Sequence, residues 1–414
     1  MTKILFFSHY FPPEGNAPAS RTYEHCVRWV QAGYEVTVVT SVPNVPNGIP
    51  YEGYRNRWRR QIEDVDGIQV IRVWTYLAPN AGFTKRISNY LSYMLTAFWV
   101  GMTVKRPDVV IATSPQFFCG WAGVLTQFFR RVPFILEIRD IWPESITAVG
   151  AMKLGVVTRI LEWLERRMYS SADHIVTVGY GYRNNIAQKV NMENRITVIY
   201  NGIDGLAFTP QVPDEEFLLR FGQVGRFICS YVGTIGMAHG LETVLDCAEL
   251  LRSAGRSDIG FFLVGDGARQ KSLVDECEAR GLSDLVQFSG LLSKQEMPKV
   301  LASSNAVLVH LRASELFQTV IPSKIFEAMA MERPIIMGVQ GESADIVRSS
   351  QAGIEMEPGN AESLFECVTK LKDDTELYTR LSRSGRSFVL GEFSRCVFAS
   401  RYLEVIDSVV KARS

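Results

Sequence analysis

Ile321–Pro334 read IPSKIFEAMAMERP, and this stretch decides how the rest of the chain is read. It predicts a short helix with Pro322 at its first position, where a missing N–H costs nothing and a fixed φ is already helical. Ile321, just before it, offers no capping side chain, so the N–H groups of the first turn are open to an anion. Ser323 follows the proline, and Lys324 and Glu327 share one face at i and i+3. Two readings fit. One is an ion pair on an exposed helix. The other is a cation beside a phosphate and a carboxylate beside sugar hydroxyls.

Upstream, the apolar strand Ala306–His310 and the loop Leu311–Thr319 lead into this helix, and Ile335–Met337 gives the next strand. The pattern repeats backwards through Val286–Ser289, Ile259–Val264 and Phe227–Gly233, with amphipathic helices over 241–254, 267–280 and 294–302. The N-terminal half has the same plan. Strands are predicted at Ile4–Ser8, Tyr34–Thr40, Val70–Val73, Val109–Thr113, Phe134–Ile138, Ile175–Val178 and Thr197–Tyr200, with an amphipathic helix over 20–32. Continuously apolar strands alternating with helices imply parallel sheets covered on both faces, whose ligands bind at the C-terminal strand ends. The expected architecture is therefore α/β, with two doubly wound, Rossmann-like domains facing each other across a ligand cleft. The expected division is residues 1–205, 206–392 and a terminal helical stretch 393–414 that crosses back to the first domain.

Size and charge agree. A chain of 414 residues exceeds one ordinary core. Zero net charge hides an asymmetry: residues 1–200 carry 22 basic against 15 acidic side chains, and the remainder 22 against 29. The basic half suits an anionic partner such as lipid, diphosphate or nucleic acid. Seven scattered cysteines without a CxxC pair argue against a disulfide framework or zinc site and for a reducing cytoplasm. The N-terminal MTKILFFSHYFPPEG reads as a first strand rather than a signal peptide.

Residues 83–106, FTKRISNYLSYMLTAFWVGMTVKR, have an aromatic, apolar centre between basic flanks. The segment is too short and too interrupted to span a bilayer. It fits either a helix lying in an anionic interface or one buried beside the sheet; the basic run Arg55, Arg57, Arg59 and Arg60 around Trp58, with Arg130 and Arg131, favours the interface.

Four loops carry candidate chemistry. The loop after the first strand contains Gly15 and Asn16, and glycine there permits close backbone approach to a ligand, although a plain turn fits as well. Arg139 and Asp140 of LEIRDIWPES sit at a strand end, with Glu144 nearby; they form either a solvated pair or a site for a phosphate. YVGTIGMAHG (231–240) is glycine-rich, with Gly233, Thr234 and Gly236 placed to cradle phosphate, and His239 reads as structural. GDG at 265–267 is not a GxGxxG fingerprint, which speaks against a hydride enzyme. The opening segment is the fourth.

These stretches, with NGID (201–204), FFLVGDGARQ (261–270), VQFSGLLSKQEMPKVLASSNAVLVHL (286–311) and PSKIFEAMAMERPII (322–336), resemble family 4 of the GT-B glycosyltransferases over nearly the full length. RDIWPES and PSK resemble the WbuB/WcaI group of O-antigen and exopolysaccharide transferases. The resemblance implies a retaining sugar transfer from a nucleotide diphosphate, without metal or other cofactor. UDP is favoured over GDP, an N-acetylated sugar such as N-acetylfucosamine is suggested, and the acceptor would be linked to polyprenyl diphosphate. It implies a cytoplasmic enzyme, peripheral on the inner membrane face through residues 83–106, with no nucleic-acid partner.

By matching positions, Glu327 would bind the donor ribose, Gly290 and Leu291 would meet the base, and Gly233 to Gly236 would approach the diphosphate. Thr319 stands where the family has its first glutamate, Arg139 where it has a histidine, and Thr234 and His239 where it has the phosphate-loop Arg and Lys. Lys324 becomes the main candidate cation, and Arg139 a second group for the developing charge. The changed histidine and first glutamate leave a non-catalytic GT-B partner as an alternative; another GT-B enzyme, such as a nucleotide-sugar epimerase, is a third reading that the segment 83–106 speaks against.

Overall fold

The computed structural model describes residues 1–45, 47–78, 83–114, 116–148 and 155–413. The chain divides into two compact units: Met1–Tyr200 together with Cys396–Ser414, and Asn201–Arg395.

The first unit is built on β1 (Lys3–Phe7), β2 (Glu35–Ser41), β3 (Gln61–Val65), β4 (Ile68–Val73), β5 (Val109–Thr113), β6 (Phe134–Ile138), β7 (His174–Thr177) and β8 (Ile196–Val198). They form one sheet in the order β3-β4-β2-β1-β5-β6-β7-β8. Every neighbouring pair is parallel except β3–β4. The central strands are buried at every position and mostly apolar because both faces are covered, as in VVIAT and FILEI. The antiparallel edge corrects the expectation of a wholly parallel sheet. Asp66 and Gly67 both take positive φ, 54° and 81°, and close a two-residue hairpin whose twist matches the strands.

The first helix, Ala17–Gln31, starts three residues before the expected one. Asn16 caps it by accepting from the Ala19 N–H at 2.9 Å, and Pro18 is compatible with the first turn. Its inner face carries Ala19, Cys26 and Trp29. The terminal helix Arg395–Arg413 packs on that helix: Trp29 and Tyr402 meet edge to face at 5.0 Å, and the Tyr34 hydroxyl donates to Asp407 at 2.8 Å. Such an aromatic pair contributes about 0.5–1.5 kcal/mol beyond its buried area. Arg413 closes the far end on Asp173 at 2.7 Å.

The second unit contains β9 (Phe227–Val232), β10 (Ile259–Val264), β11 (Val286–Gly290), β12 (Ala306–His310), β13 (Ile335–Gly338) and β14 (Gly353–Glu355), all parallel, in the order β11-β10-β9-β12-β13-β14. The three-residue edge strand β14 is too short to stand out in the sequence. The core lies between this sheet and its helices, with Tyr231, Leu245, Phe261, Leu308 and Val368 buried. At the unit's C-terminal end Phe326 and Phe393 stack at 4.8 Å.

Candidate active site

In the second unit the C-terminal strand ends place three loops side by side. The loop after β9 is held by its neighbours before any ligand arrives. Gly233 N–H donates to Val264 O at 2.9 Å and Ile235 N–H to Asp266 O at 3.0 Å. The Tyr231 hydroxyl donates to Thr234 O at 2.7 Å, and the Arg312 Nε to Met237 O at 2.8 Å. Gly265 N–H reaches Gly290 O at 3.0 Å, joining β11 to the same edge. Here the GDG run finds its role: a side-chain carbon on Gly265 would lie 1.9 Å from Gly233 O, and one on Gly267 2.5 Å from Ile235 O. Only glycine lets the two loops approach this closely.

Into this edge reaches Lys324. Its ammonium lies 3.7 Å from the centroid of the Tyr231 ring, and 3.1 Å from where a side chain on Gly233 would begin. Burial lowers the ammonium to about 7, and the Glu327 carboxylate pulls it back up. The ring face compensates in part for the lost water. His239 is held neutral, lowered to about 4 by burial first and by the Lys324 charge second. Its Nδ1 accepts the Gly236 N–H at 3.2 Å, so the neutral ring carries its proton on Nε2. His310 ties β12 to this loop. Its Nε2 accepts from Gly359 N–H at 2.9 Å, so its Nδ1–H donates to His239 O at 2.7 Å.

The helix itself corrects one expectation. It runs Lys324–Ala330, so Pro322 lies before it and Ser323 occupies the N-cap without making a side-chain capping bond. The first turn opens in the tighter i to i+3 pattern, with Ile325 N–H on Pro322 O at 3.1 Å. The Thr319 hydroxyl donates to Leu316 O at 2.7 Å. Gly290 takes φ +70°, ending β11 in a turn that leaves Leu291 71% exposed.

In the first unit, Arg139 and Asp140 stand at the end of β6. The Arg139 guanidinium lies 2.5 Å from Glu137, both almost wholly buried, and the Arg139 backbone N–H donates to Ser114 Oγ at 2.8 Å, linking the ends of β5 and β6. Burial pushes Glu137 up to about 7; the adjoining guanidinium favours the carboxylate, and we take the pair as ionised. Burial also pushes Asp140 up to about 6, against the Ser145 hydroxyl that donates to it at 3.1 Å. Glu144 belongs elsewhere, 2.7 Å from Lys189. Gly15 is exposed, and the side-chain oxygen of Asn16 serves the helix cap.

Sequence reasoning missed Tyr231, Glu137 and Glu14. Tyr231 gave no signal within an apolar strand. Glu137 did, as an acid inside FILEI with an arginine two residues on, hence on the same face. Glu14 is buried after β1 and accepts from the Asn44 N–H at 2.9 Å, and burial pushes it up to about 7. Arg72 fixes the same loop by donating to Pro12 O at 2.5 Å.

Residues 16–202 match the family model of the glycosyl transferase 4-like domain, and residues 222–388 that of glycosyl transferases group 1. The chain is a glycosyltransferase of the GT-B fold. This glycosyltransferase is similar to the putative colanic acid biosynthesis glycosyl transferase WcaI of Escherichia coli K12, 27% identical over 340 residues that cover 80% of this chain and 81% of the relative. It is also similar to the probable glycosyltransferase WbjE of Pseudomonas aeruginosa, 24% identical over 304 residues that cover 71% and 74%. Its fold matches the crystal structure of Anabaena HepE in complex with UDP-glucose, with a TM-score of 0.73 at 16% identity over 99% of this chain and 100% of that one.

Proposed function

We propose that this glycosyltransferase moves a sugar, with retention, from a UDP-sugar to a polyprenyl-diphosphate-linked acceptor in bacterial polysaccharide assembly. The observation that carries the reading is the Lys324 ammonium at the C-terminal edge of the second unit, against Tyr231 and Gly233. Lys324 meets the donor diphosphate. Gly233, Thr234 and Gly236 line it with backbone, Glu327 takes the ribose, and Gly290 with Leu291 takes the base. Thr319, Pro322 and Ser323 shape the approach to Lys324. In the first unit, Gly15 and Asn16 are read as donor-binding residues, and Arg139 and Asp140 as catalytic ones. The names of WcaI and of Anabaena HepE with UDP-glucose support the polysaccharide and UDP parts of this reading.

The chemistry asked of these groups is stabilisation of a leaving nucleoside diphosphate by donors aimed before the reaction starts. The ammonium supplies the charge that Thr234 and His239 do not carry. Arg139 is balanced by Glu137, so its part is to hold the β6 end and orient Asp140 rather than to bring net charge. In this reading Asp140, whose carboxyl burial raises to about 6, takes the acceptor hydroxyl. The N-acetylated sugar, N-acetylfucosamine among them, remains part of the reading.

The enzyme is read as peripheral on the inner membrane face through residues 83–106. Helix Phe83–Thr103 exposes Leu91, Leu95 and Trp99, and no helix among the described residues is long and apolar enough to cross a membrane. The test is calorimetry with a panel of UDP- and GDP-sugars on the wild type and Lys324→Ala, followed by turnover of the sugar that binds. One charge-assisted contact is worth about 1.5–3 kcal/mol, so Lys324→Ala is expected to lose at least tenfold in turnover. Wild-type turnover in that variant would remove Lys324 from the site, and no UDP-sugar binding to the wild type would overturn the donor assignment.

A further inference from the structure

Beside helix Phe83–Thr103 the first unit opens a cavity of about 600 Å³ that serves neither strand-end site. Its walls are Trp58, Trp74, Leu95 and Trp99, and its rim holds Arg59 and Arg60. Trp58 stacks on Trp74 at 4.1 Å with the rings 14° apart, yet stays 77% exposed on its other side. The loop that carries it is built into place. The Asn56 amide donates to Thr75 O at 2.7 Å and accepts the Thr75 N–H at 3.2 Å, and Arg60 Nη1 donates to Thr103 Oγ1 at 3.0 Å. An arginine-rich loop is thereby fastened to the end of the helix, with three indoles between them.

Two further features say what such a groove takes. Leu91, Leu95 and Trp99 recur every four residues, so an exposed apolar stripe runs along the helix past the cavity. The charge around it is mainly basic: from Arg55 to Leu136 the sequence has 11 Lys and Arg against four acids, of which Glu63 pairs with the buried Arg72 at 2.6 Å and Asp108 accepts from the Lys3 N–H at 2.7 Å. An aromatic slot with a cationic rim, continuous with an apolar stripe, complements an anionic amphiphile: phosphate on the guanidinium groups and hydrocarbon on the indoles.

We propose that this groove binds the phosphate head and adjoining hydrocarbon of an anionic phospholipid in a bilayer, with Arg59 and Arg60 on the phosphate and Trp58, Trp74 and Trp99 on the chain. It rests on the reading of residues 83–106 as membrane-facing, and adds to that segment a specific lipid site made by a loop outside it. Vesicle sedimentation of the full chain tests it. The wild type is expected to sediment with phosphatidylglycerol–phosphatidylcholine vesicles and to stay in solution with phosphatidylcholine alone. R59Q/R60Q is expected to lose at least tenfold in partitioning, and brominated acyl chains to quench the wild-type tryptophan fluorescence more strongly than that of W58F/W99F. Circular dichroism melts check that the variants fold, and UDP calorimetry is expected to be unchanged in both. Equal sedimentation with the two vesicle types, wild-type partitioning of R59Q/R60Q, or equally tight binding of free glycerol phosphate would overturn the lipid site. Absence of UDP binding in the wild type would instead count against the donor reading.

Discussion

The Lys324 ammonium sits 3.7 Å from the centre of the Tyr231 ring, although Tyr231 lies near the end of strand β9 and Lys324 opens a helix more than ninety residues further on. The contact keeps a cation aimed where the loop after β9 exposes its backbone. Replacing the ring face should therefore weaken the donor site without touching a donor atom. A cation–π contact of this kind is worth about 0.5–2 kcal/mol. Tyr231→Leu is expected to weaken UDP-sugar binding by roughly two- to thirtyfold, whereas Tyr231→Phe, which loses only the hydroxyl bond to Thr234 O, should lose less. Calorimetry on the two variants checks the order, and equal losses would assign the effect to the hydroxyl.

The lowered proton affinity of Lys324 gives binding and stability opposite dependences on pH. The folded value of about 7 lies below the ordinary 10.5. Across that window the unfolded chain holds the extra proton, so stability of the free protein rises with pH. Donor binding needs the ammonium, so affinity should fall above about 7, by up to about tenfold per pH unit. A UDP-sugar has no phosphate that titrates there, which leaves the slope to the protein. Lys324→Arg keeps its charge and should flatten the slope. Titrations between pH 6 and 9 that show the same slope in both proteins would take Lys324 off the phosphate.

Gly265 has φ +138° and its position leaves no room for a side chain against Gly233 O. Gly265→Ala should displace the loop after β9, lowering stability by about 1–3 kcal/mol and weakening donor binding with it. Gly255, φ +69° and open to solvent, is the control: its alanine variant carries only the backbone strain and should leave donor binding unchanged. Urea denaturation and calorimetry on the two variants separate loop displacement from strain.

Glu137 and Arg139 form an almost fully buried pair at 2.5 Å. Removing one partner strands the other, so Glu137→Ala should cost about 3–5 kcal/mol in urea denaturation. The double variant E137A/R139M should recover much of that stability while leaving Asp140 less firmly placed. If Glu137→Ala were neutral, the pair would not be ionised.

The sequence by itself determined the architecture of each unit. Runs such as VVIAT, FILEI, IGFFLV and AVLVH are almost continuously apolar because a parallel strand is covered on both faces, and that pattern needs no knowledge of neighbours. It also showed Lys324 and Glu327 on one helical face. The antiparallel edge β3–β4 was not read from the sequence, although Asp66-Gly67 between two short runs is its local mark. Where Lys324 points was decided only by the tertiary structure, since the Tyr231 ring and the Gly233 gap lie on another strand and its loop. So was the fate of Arg139, whose charge is balanced by Glu137 once both are buried, and that of Asn16, whose oxygen is taken by the Ala19 N–H. The physical reason is the same in each case. Periodicity is set by which face of an element is buried, so it is written locally. The charge and hydrogen-bonding state of a side chain depends on partners that only the folded sheet brings within 4 Å.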